Sequence, residues 1–470
     1  MPWWAGLAAL LLADTVYGFQ QTAITPALPV IEQDLQASRE WTTWLFSGYF
    51  IVASVAPVFL GKLADRTGKR RIYLAALVVF LAGSVGASFA PTIGVLVTCR
   101  IIQGAGGAVF PLSFSMVSDH LPEHRTRQGI SILTGGFGLG ALAGFVVGGY
   151  LAQSLSWRWI FIVGALALAV AVVLVRLTVR RSTVRSRRGL DTPGAVLFGI
   201  AMATLIMGLT EGPNRGWAAP LVIALFAIAG LAAVCWVLRE LHTAEPLMDL
   251  RALASRPVLM ANAASVCVGY AVIGVNLLLP FLVGVTGQST LTLFGLAAGP
   301  LLTGVMLVPR AIGQSVGGPL CIPLGRWLGS ARAFAFGMVL VAIGAFGLAV
   351  WRDRTWMVLL ELASVGVGFG VAITMGGSVV MMAAAADQTG IATSINSVLR
   401  RAGGAVGAQV SAALLGAISL HGTPTSGAFS VAFGVAAAVA AVGAVIALFI
   451  AVPAANQRDP AQRTAIDADD

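Results

Sequence analysis

The sequence predicts an all-α polytopic membrane protein of about fourteen transmembrane helices, and three observations carry that prediction. First, 58% of the 470 residues are hydrophobic and only 10% are charged, with a mean hydropathy of +0.89. An average soluble domain is about 25% charged and 45–50% apolar. So few charges cannot solvate the surface of a globule this large, which excludes a soluble enzyme, a nucleic-acid binder and a disordered chain. Second, the apolar residues fall in runs long enough for a bilayer, at about 20 residues per helix. Third, the basic residues alternate in position with those runs. The runs lack period-2 alternation and are too long for tilted strands, so a β-barrel is excluded as well.

The first run, 5–29, follows an interfacial Trp3/Trp4 pair. It has no basic segment before it and outlasts the apolar core of a signal peptide, so it reads as a span rather than a cleaved leader. Further runs lie near 42–61, 72–90, 93–117, 129–152 and 158–177. Eight more lie near 194–211, 218–238, 258–283, 296–317, 333–350, 356–380, 391–419 and 428–452. The basic segments 61–71, 176–188, 238–256, 325–332 and 453–470 are each separated by an even number of runs, so all can share one face. Of the 29 Lys and Arg, 20 fall on that face, five fall opposite (Arg39, Arg158, Arg215, Arg352, Arg354) and four lie within runs. Cytoplasmic loops are basic, which predicts both termini inside. The net charge of +10 is then a topology marker facing anionic lipid.

Other composition signals are quiet. Cys99, Cys235, Cys267 and Cys321 stand singly in apolar runs, as inert thiols do. The cluster Asp119 to His124 (DHLPEH) contains metal-ligand types, but Pro122 breaks the helical spacing a site needs, so no metal is expected. The glycine clusters GGFGLG (Gly135 to Gly140) and VGVGFG (Val365 to Gly370) follow no strand, so they read as close helix packing rather than phosphate loops. No cofactor is expected. A faint repeat is present: APVFLGKLADRTGKRRIY (Ala56 to Tyr73) is echoed by GGPLCIPLGRWLGSARAF (Gly317 to Phe334). It aligns Pro57 with Pro319 and Gly68 with Gly329, and QGAGGA (Gln103 to Ala108) likewise echoes VGVGFGVA. Internal repeats of this kind mark transporters that alternate access around a midplane site.

The string Gly61 to Arg71, GKLADRTGKRR, lies between the second and third runs and is the most specific in the chain. Its glycines permit a tight turn, Asp65 can accept from a helix start or an arginine, and Arg66, Lys69 and Arg70 face headgroups. It resembles the signature loop of the major facilitator superfamily. Further strings are similar to that family's fourteen-span drug:proton antiporter branch: ALPVIEQDL (Ala27 to Leu35), RIIQG (Arg100 to Gly104), WRWIF (Trp157 to Phe161), LDTPGA (Leu190 to Ala195) and AEPLMDLR (Ala244 to Arg251). The resemblance implies a major facilitator fold of two six-helix bundles with an inserted helix pair. The parts are an N-terminal bundle with its basic linker (1–188), the inserted pair (189–245), a C-terminal bundle (246–455) and a cytoplasmic tail (456–470). Two departures from the branch stand out. Gln20 occupies the place of its first-helix Asp, and Phe145 replaces the proline of its fifth-helix glycine motif. In the family both elements are associated with proton antiport.

The first helix offers a replacement acid. Asp14 stands about ten residues, or roughly 15 Å, into its span. Gly18, Gln21, Thr25 and Tyr17 all lie within about 60° of it around the helix. A carboxyl group at mid-bilayer is costly and reads as functional by default. Arg100 is the candidate counter-charge, some 12 Å deep and level with Gln20, to which it is expected to hydrogen-bond; Gln103 rides one turn further on the same face. Glu361 is the other carboxylate well inside a span. It either pairs with Arg310, Arg400 or Arg401 or binds a cationic drug or second proton. The expected function is secondary active transport: proton-coupled export of small amphipathic organic compounds across a bacterial inner membrane, by a monomer in contact with lipid. Asp14, Arg100 and Glu361 would carry coupling, and Tyr17, Gln20, Gln21, Thr25, Gln103 and Phe145 would line the path. The alternatives are the same fold without antiport (a facilitator, importer or lipid mover) and, from another class, an intramembrane enzyme or sensor. The last would need a nucleophile–base pair or metal cluster that the spans do not offer.

Overall fold

The computed structural model describes residues 3–120, 123–179, 192–243, 255–285, 299–383, 389–420 and 423–450. The first part of the chain forms α1 (Trp3–Thr22), α2 (Ile24–Asp34), α3 (Arg39–Thr67), α4 (Lys69–Ser88), α5 (Ile93–Gln103), a 3-10 turn (Gly104–Ala108), α6 (Val109–His120), α7 (Glu123–Ser154) and α8 (Arg158–Thr178). Then come α9 (Thr192–Arg215) and α10 (Pro220–His242). The rest forms α11 (Arg256–Val285), α12 (Pro300–Met306), α13 (Val308–Leu328), α14 (Ser330–Val350), α15 (Thr355–Ala383), α16 (Thr389–Ala417) and α17 (Ser426–Leu448). Two two-residue strands, Ser419–Leu420 and Thr423–Pro424, pair between α16 and α17. Among the described residues ten helices are long and apolar enough to cross a membrane.

Prolines explain why some apolar runs are broken rods. Pro26 has no N–H to give the Thr22 carbonyl, and the helix interrupts at Ala23 between α1 and α2. Pro309 does the same between α12 and α13, where Leu307 donates to both Thr303 and Gly304 at 3.2 Å. Pro111 follows the 3-10 turn that joins α5 to α6.

The segment 61–71 is helical rather than a loop. α3 continues to Thr67, α4 begins at Lys69, and the turn is the single residue Gly68, at φ +110°. Leu, Ala and Arg sustain a helix past the apolar slab, so only the residue that needs left-handed backbone breaks it. Gly329, at φ +80°, makes the equivalent one-residue turn between α13 and α14, and Pro57 and Pro319 both sit inside the preceding helices. The aligned glycines of the sequence repeat therefore have one shared backbone task.

Helix pairing repeats in the same way. α1 packs on α7, α4 on α8, and α3 on α5 and its 3-10 turn; in the second part α11 packs on α16, α14 on α17, and α13 on α15. Glycines set the closest approaches. A Cβ on Gly140, Gly144 or Gly148 would meet the backbone of Thr15, Phe19 or Ala23 at 1.9–2.6 Å, so α7 lies on α1 through a four-residue glycine repeat. Gly403 and Gly407 of α16 meet α11 backbone at 2.1–2.2 Å, and Gly366 and Gly370 of α15 meet that of α13 at 2.1–2.3 Å. α9 packs on α10, on α3, where Trp44 donates to Glu211 (3.1 Å), and on α16 through Ala195 and Ile206, while most of the α10 surface is exposed.

Candidate functional site

The four residues Gln20, Ser84, Arg100 and Gln103 form a buried polar cluster inside the first part of the chain. Arg100, wholly buried, donates from Nη1 to Gln103 Oε1 (2.7 Å) and from Nε to the Leu45 carbonyl (3.2 Å), and lies 4.4 Å over the Tyr49 ring. Gln103 donates onward to Gln20 Oε1 (3.0 Å) and Ser84 Oγ (2.9 Å), and Ser84 also donates to Gln20 Oε1 (2.9 Å). Gly83 and Gly164 make room: a Cβ on either would strike Gln103 Cγ at 2.8 Å or Gln20 Nε2 at 2.0 Å. The expected Arg100–Gln20 link is thus relayed through Gln103; neutral acceptors and a ring face the cation, and its Nη2 is buried without a partner among the described residues. Ser84 carried no signal in the sequence, being one hydroxyl in an apolar run.

Asp14 is likewise fully buried but separate from that cluster. Ser113 of α6 donates to its Oδ2 at 2.6 Å, and its Oδ1 is buried without a partner. No cation pairs with it among the described residues. Three residues on, Tyr17 packs edge-on against Phe80 (6.0 Å) and tilted against Phe137 (5.8 Å), its hydroxyl buried and unbonded. Thr22 ties the next turn of α1 to the Ala141 carbonyl of α7 (2.8 Å).

Tyr17 forms part of the wall of a cavity of about 430 Å³ lined from both parts of the chain. Gln21, Thr25 and Phe145, all singled out from sequence, line it with Tyr17; Gln20 and Gln103 do not, since they are spent in the Arg100 cluster. Phe46, Phe50, Phe110, Phe114 and Phe137 give the first part an aromatic surface. The second part supplies Asn276, Gln314 and Phe369, and three cations, Arg310, Arg400 and Arg401. Arg310 is 5% exposed and lies 5.7 Å over the Phe145 ring and 5.8 Å over Phe369. Arg401 donates to the Ala53 carbonyl, and Gln409 to Ser47 Oγ (3.0 Å), joining α16 to α3. Such apolar pockets with a few placed polar groups suit amphipathic organic ligands.

Glu361 is not in this cavity. Its carboxylate lies on Gly347 of α14, where an added Cβ would stand 2.1–2.4 Å away, and it makes no ion pair with Arg310, Arg400 or Arg401. At the end where α1 leads into α2 the two parts of the chain pack closely. Gly304 and Gly149 abut the backbone of Phe145 and Pro300, and Gln153 accepts from the Leu301 amide (3.1 Å). Asp34 accepts from Arg158 (2.7 Å) and Trp157 (2.8 Å), which joins the two sequence strings at the end of α2 and the start of α8. The Arg158 hydrogen bond, then that of Trp157, holds the Asp34 carboxyl below the usual carboxylate range.

In the 61–71 segment Arg66 is exposed, Lys69 is buried, and Arg70 donates to the Arg176 carbonyl at the end of α8. Gly61 has open space around it. The side chains of Asp65 and of the DHLPEH residues lie outside what the structure describes.

Residues 10–408 match the profile of the Major Facilitator Superfamily. The chain is 29% identical to the tetracenomycin C resistance and export protein of Streptomyces glaucescens, over 88% of this chain and 76% of that one. It is 27% identical to a multidrug resistance protein B homolog of Mycobacterium tuberculosis, over 86% and 75%. Among solved structures, a peptide transporter POT crystallised with sulfate superposes with a TM-score of 0.72 at 18% identity, over 95% of this chain and 94% of that one. A likeness at that identity speaks for the fold.

Proposed function

The chain belongs to the major facilitator superfamily, and on that premise we propose that it exports small amphipathic organic compounds by alternating access, driven by proton entry. The observation that carries the proposal is the cavity, walled by aromatic rings from one part of the chain and polar groups from the other, with a buried acid, Asp14, one helical turn behind its Tyr17 wall. The resistance and export proteins among its relatives support the direction.

Joining α1 to α2, α5 to α6 and α12 to α13 as single bent rods gives fourteen spans: two six-helix bundles, with α9 and α10 inserted between them. The matched pairings α1–α7 with α11–α16, and α4–α8 with α14–α17, support that division. The basic loops argue for both termini in the cytoplasm of a bacterial inner membrane. The closely packed end is then the outer one. Asp14 takes a proton when the cavity is open outward and gives it up inward; about 2.3 kcal/mol per 100 mV is available to each charge moved. The one-residue turn at Gly68, with Arg66, Lys69 and Arg70 beside it, is the hinge between α3 and α4. The transporter acts as a monomer, on protons and solute, among lipids.

A second reading keeps the fold without antiport, because Gln20 stands where the branch has its acid and is held in a neutral network. Inside-out membrane vesicles separate the two. Proton-driven export predicts dye accumulation on energisation that stops with a protonophore; accumulation that continues after the gradient is collapsed would establish the second reading.

A further inference from the structure

The cavity holds three arginines and, among the described residues that line it, no acid. Asp14 lies on Ser113 and Glu361 on Gly347, both outside it. Arg310 is the most telling of the three. Among the described residues its side chain makes no hydrogen bond or ion pair, its Nε is buried without a partner, and its guanidinium lies over the faces of Phe145 and Phe369. Among the described residues Arg400 also has no side-chain hydrogen bond, and Arg401 has one, to a backbone carbonyl. A guanidinium has five donors to satisfy, and a buried cation is normally paired or bonded. Two rings compensate part of that cost; the missing share is a set of acceptors.

We infer that the solute supplies them, and that the transported class is amphipathic organic anions. A planar apolar body lies among Phe110, Phe114 and Phe137, and a carboxylate, phenolate or sulfonate is received by Arg310, with Arg400 and Arg401 in the same cavity. The planar fork of Arg310 suits a two-oxygen anion. Asn276, whose Oδ1 is also buried and unbonded, accepts from a hydroxyl on the same solute. Three like charges disfavour a cationic solute of the same shape, so the site selects by repulsion as well as attraction.

This inference rests on the export reading, and the test distinguishes the failure of one from the failure of the other. Fluorescein, an anionic xanthene, and rhodamine 6G, a cationic one, are compared as probes in inside-out vesicles and by fluorescence anisotropy on the purified full-length protein. The wild type is expected to bind and accumulate fluorescein in preference to rhodamine. Arg310→Gln weakens fluorescein binding roughly tenfold or more, as loss of a charge-assisted bond does, while Arg310→Lys loses less. Arg400→Gln is a second variant should Arg310→Gln fail to elute as a monodisperse species, and it too shifts preference from the anion toward the cation. Accumulation of rhodamine but not fluorescein overturns the inference and leaves export standing. Accumulation of neither overturns both. Fluorescein binding that is unchanged in Arg310→Gln and Arg400→Gln also overturns the inference.

Discussion

Replacing Gln103 with leucine removes the relay of the Arg100 cluster while nearly conserving volume, so the loss is polar rather than a cavity. Three side-chain hydrogen bonds disappear: from Arg100 to Gln103 (2.7 Å), and from Gln103 to Gln20 (3.0 Å) and to Ser84 (2.9 Å). Interhelical hydrogen bonds inside membranes contribute about 0.6 kcal/mol on average and up to about 1.7. Three of them, one from a buried cation, amount to about 2–4 kcal/mol. Arg100 keeps its bond to the Leu45 carbonyl and its place over Tyr49, so folding should survive. Gln103→Glu separates charge satisfaction from mere polarity. It restores an acceptor for Arg100, and the Gln20 amide, whose Nε2 is unbonded, can turn to donate to the new carboxylate. Gln103→Glu should therefore lose less than half of what Gln103→Leu loses. The assay is equilibrium unfolding in mixed micelles, followed by circular dichroism. Stability of Gln103→Leu within about 0.5 kcal/mol of wild type, against the range above, would refute the reasoning, as would a glutamate variant weaker than the leucine one.

Two further predictions follow from close contacts. A Cβ on Gly140 would lie 1.9 Å from the Thr15 carbonyl, whereas Gly135 has open space. Gly140→Val should force α1 from α7 and abolish monodisperse folded protein on size exclusion, and Gly135→Ala should leave it intact; equal behaviour of the two contradicts the glycine-packed interface. Asp34 has a depressed carboxyl pKa because Arg158 and Trp157 bond its charged form. Its contribution to stability is therefore complete above the ordinary value of 3.8 and is lost as pH falls through its lower folded value. Thermal unfolding scans between pH 2 and 6 should show a smaller acid loss in Asp34→Asn than in wild type, and equal slopes would contradict that role.

The rods of the fold were legible because bilayer thickness imposes one strong signal, runs of apolar residues, and prolines mark where a rod breaks. Gly68 and Gly329 were readable as a pair because left-handed backbone demands glycine at both. What hydropathy could not assign was the face each polar residue presents, since a helix apolar all round gives no orientation. Glu361 and Arg310 look alike in that respect; one lies on Gly347 and the other points into the cavity. Gln103 is expected on the path and is instead in the Arg100 cluster, because Gln20, 83 residues away, and Ser84 on the preceding span complete its partners. The convergence of Arg310, Arg400 and Arg401 is a tertiary fact with no local trace.

The claim most open to a single measurement is that a proton on Asp14 drives the export. Purified protein in proteoliposomes carrying a lumenal pH-sensitive dye should move protons when fluorescein is added to wild type, and Asp14→Asn should bind the dye yet move no protons with it. Proton movement of undiminished size in Asp14→Asn would contradict the account.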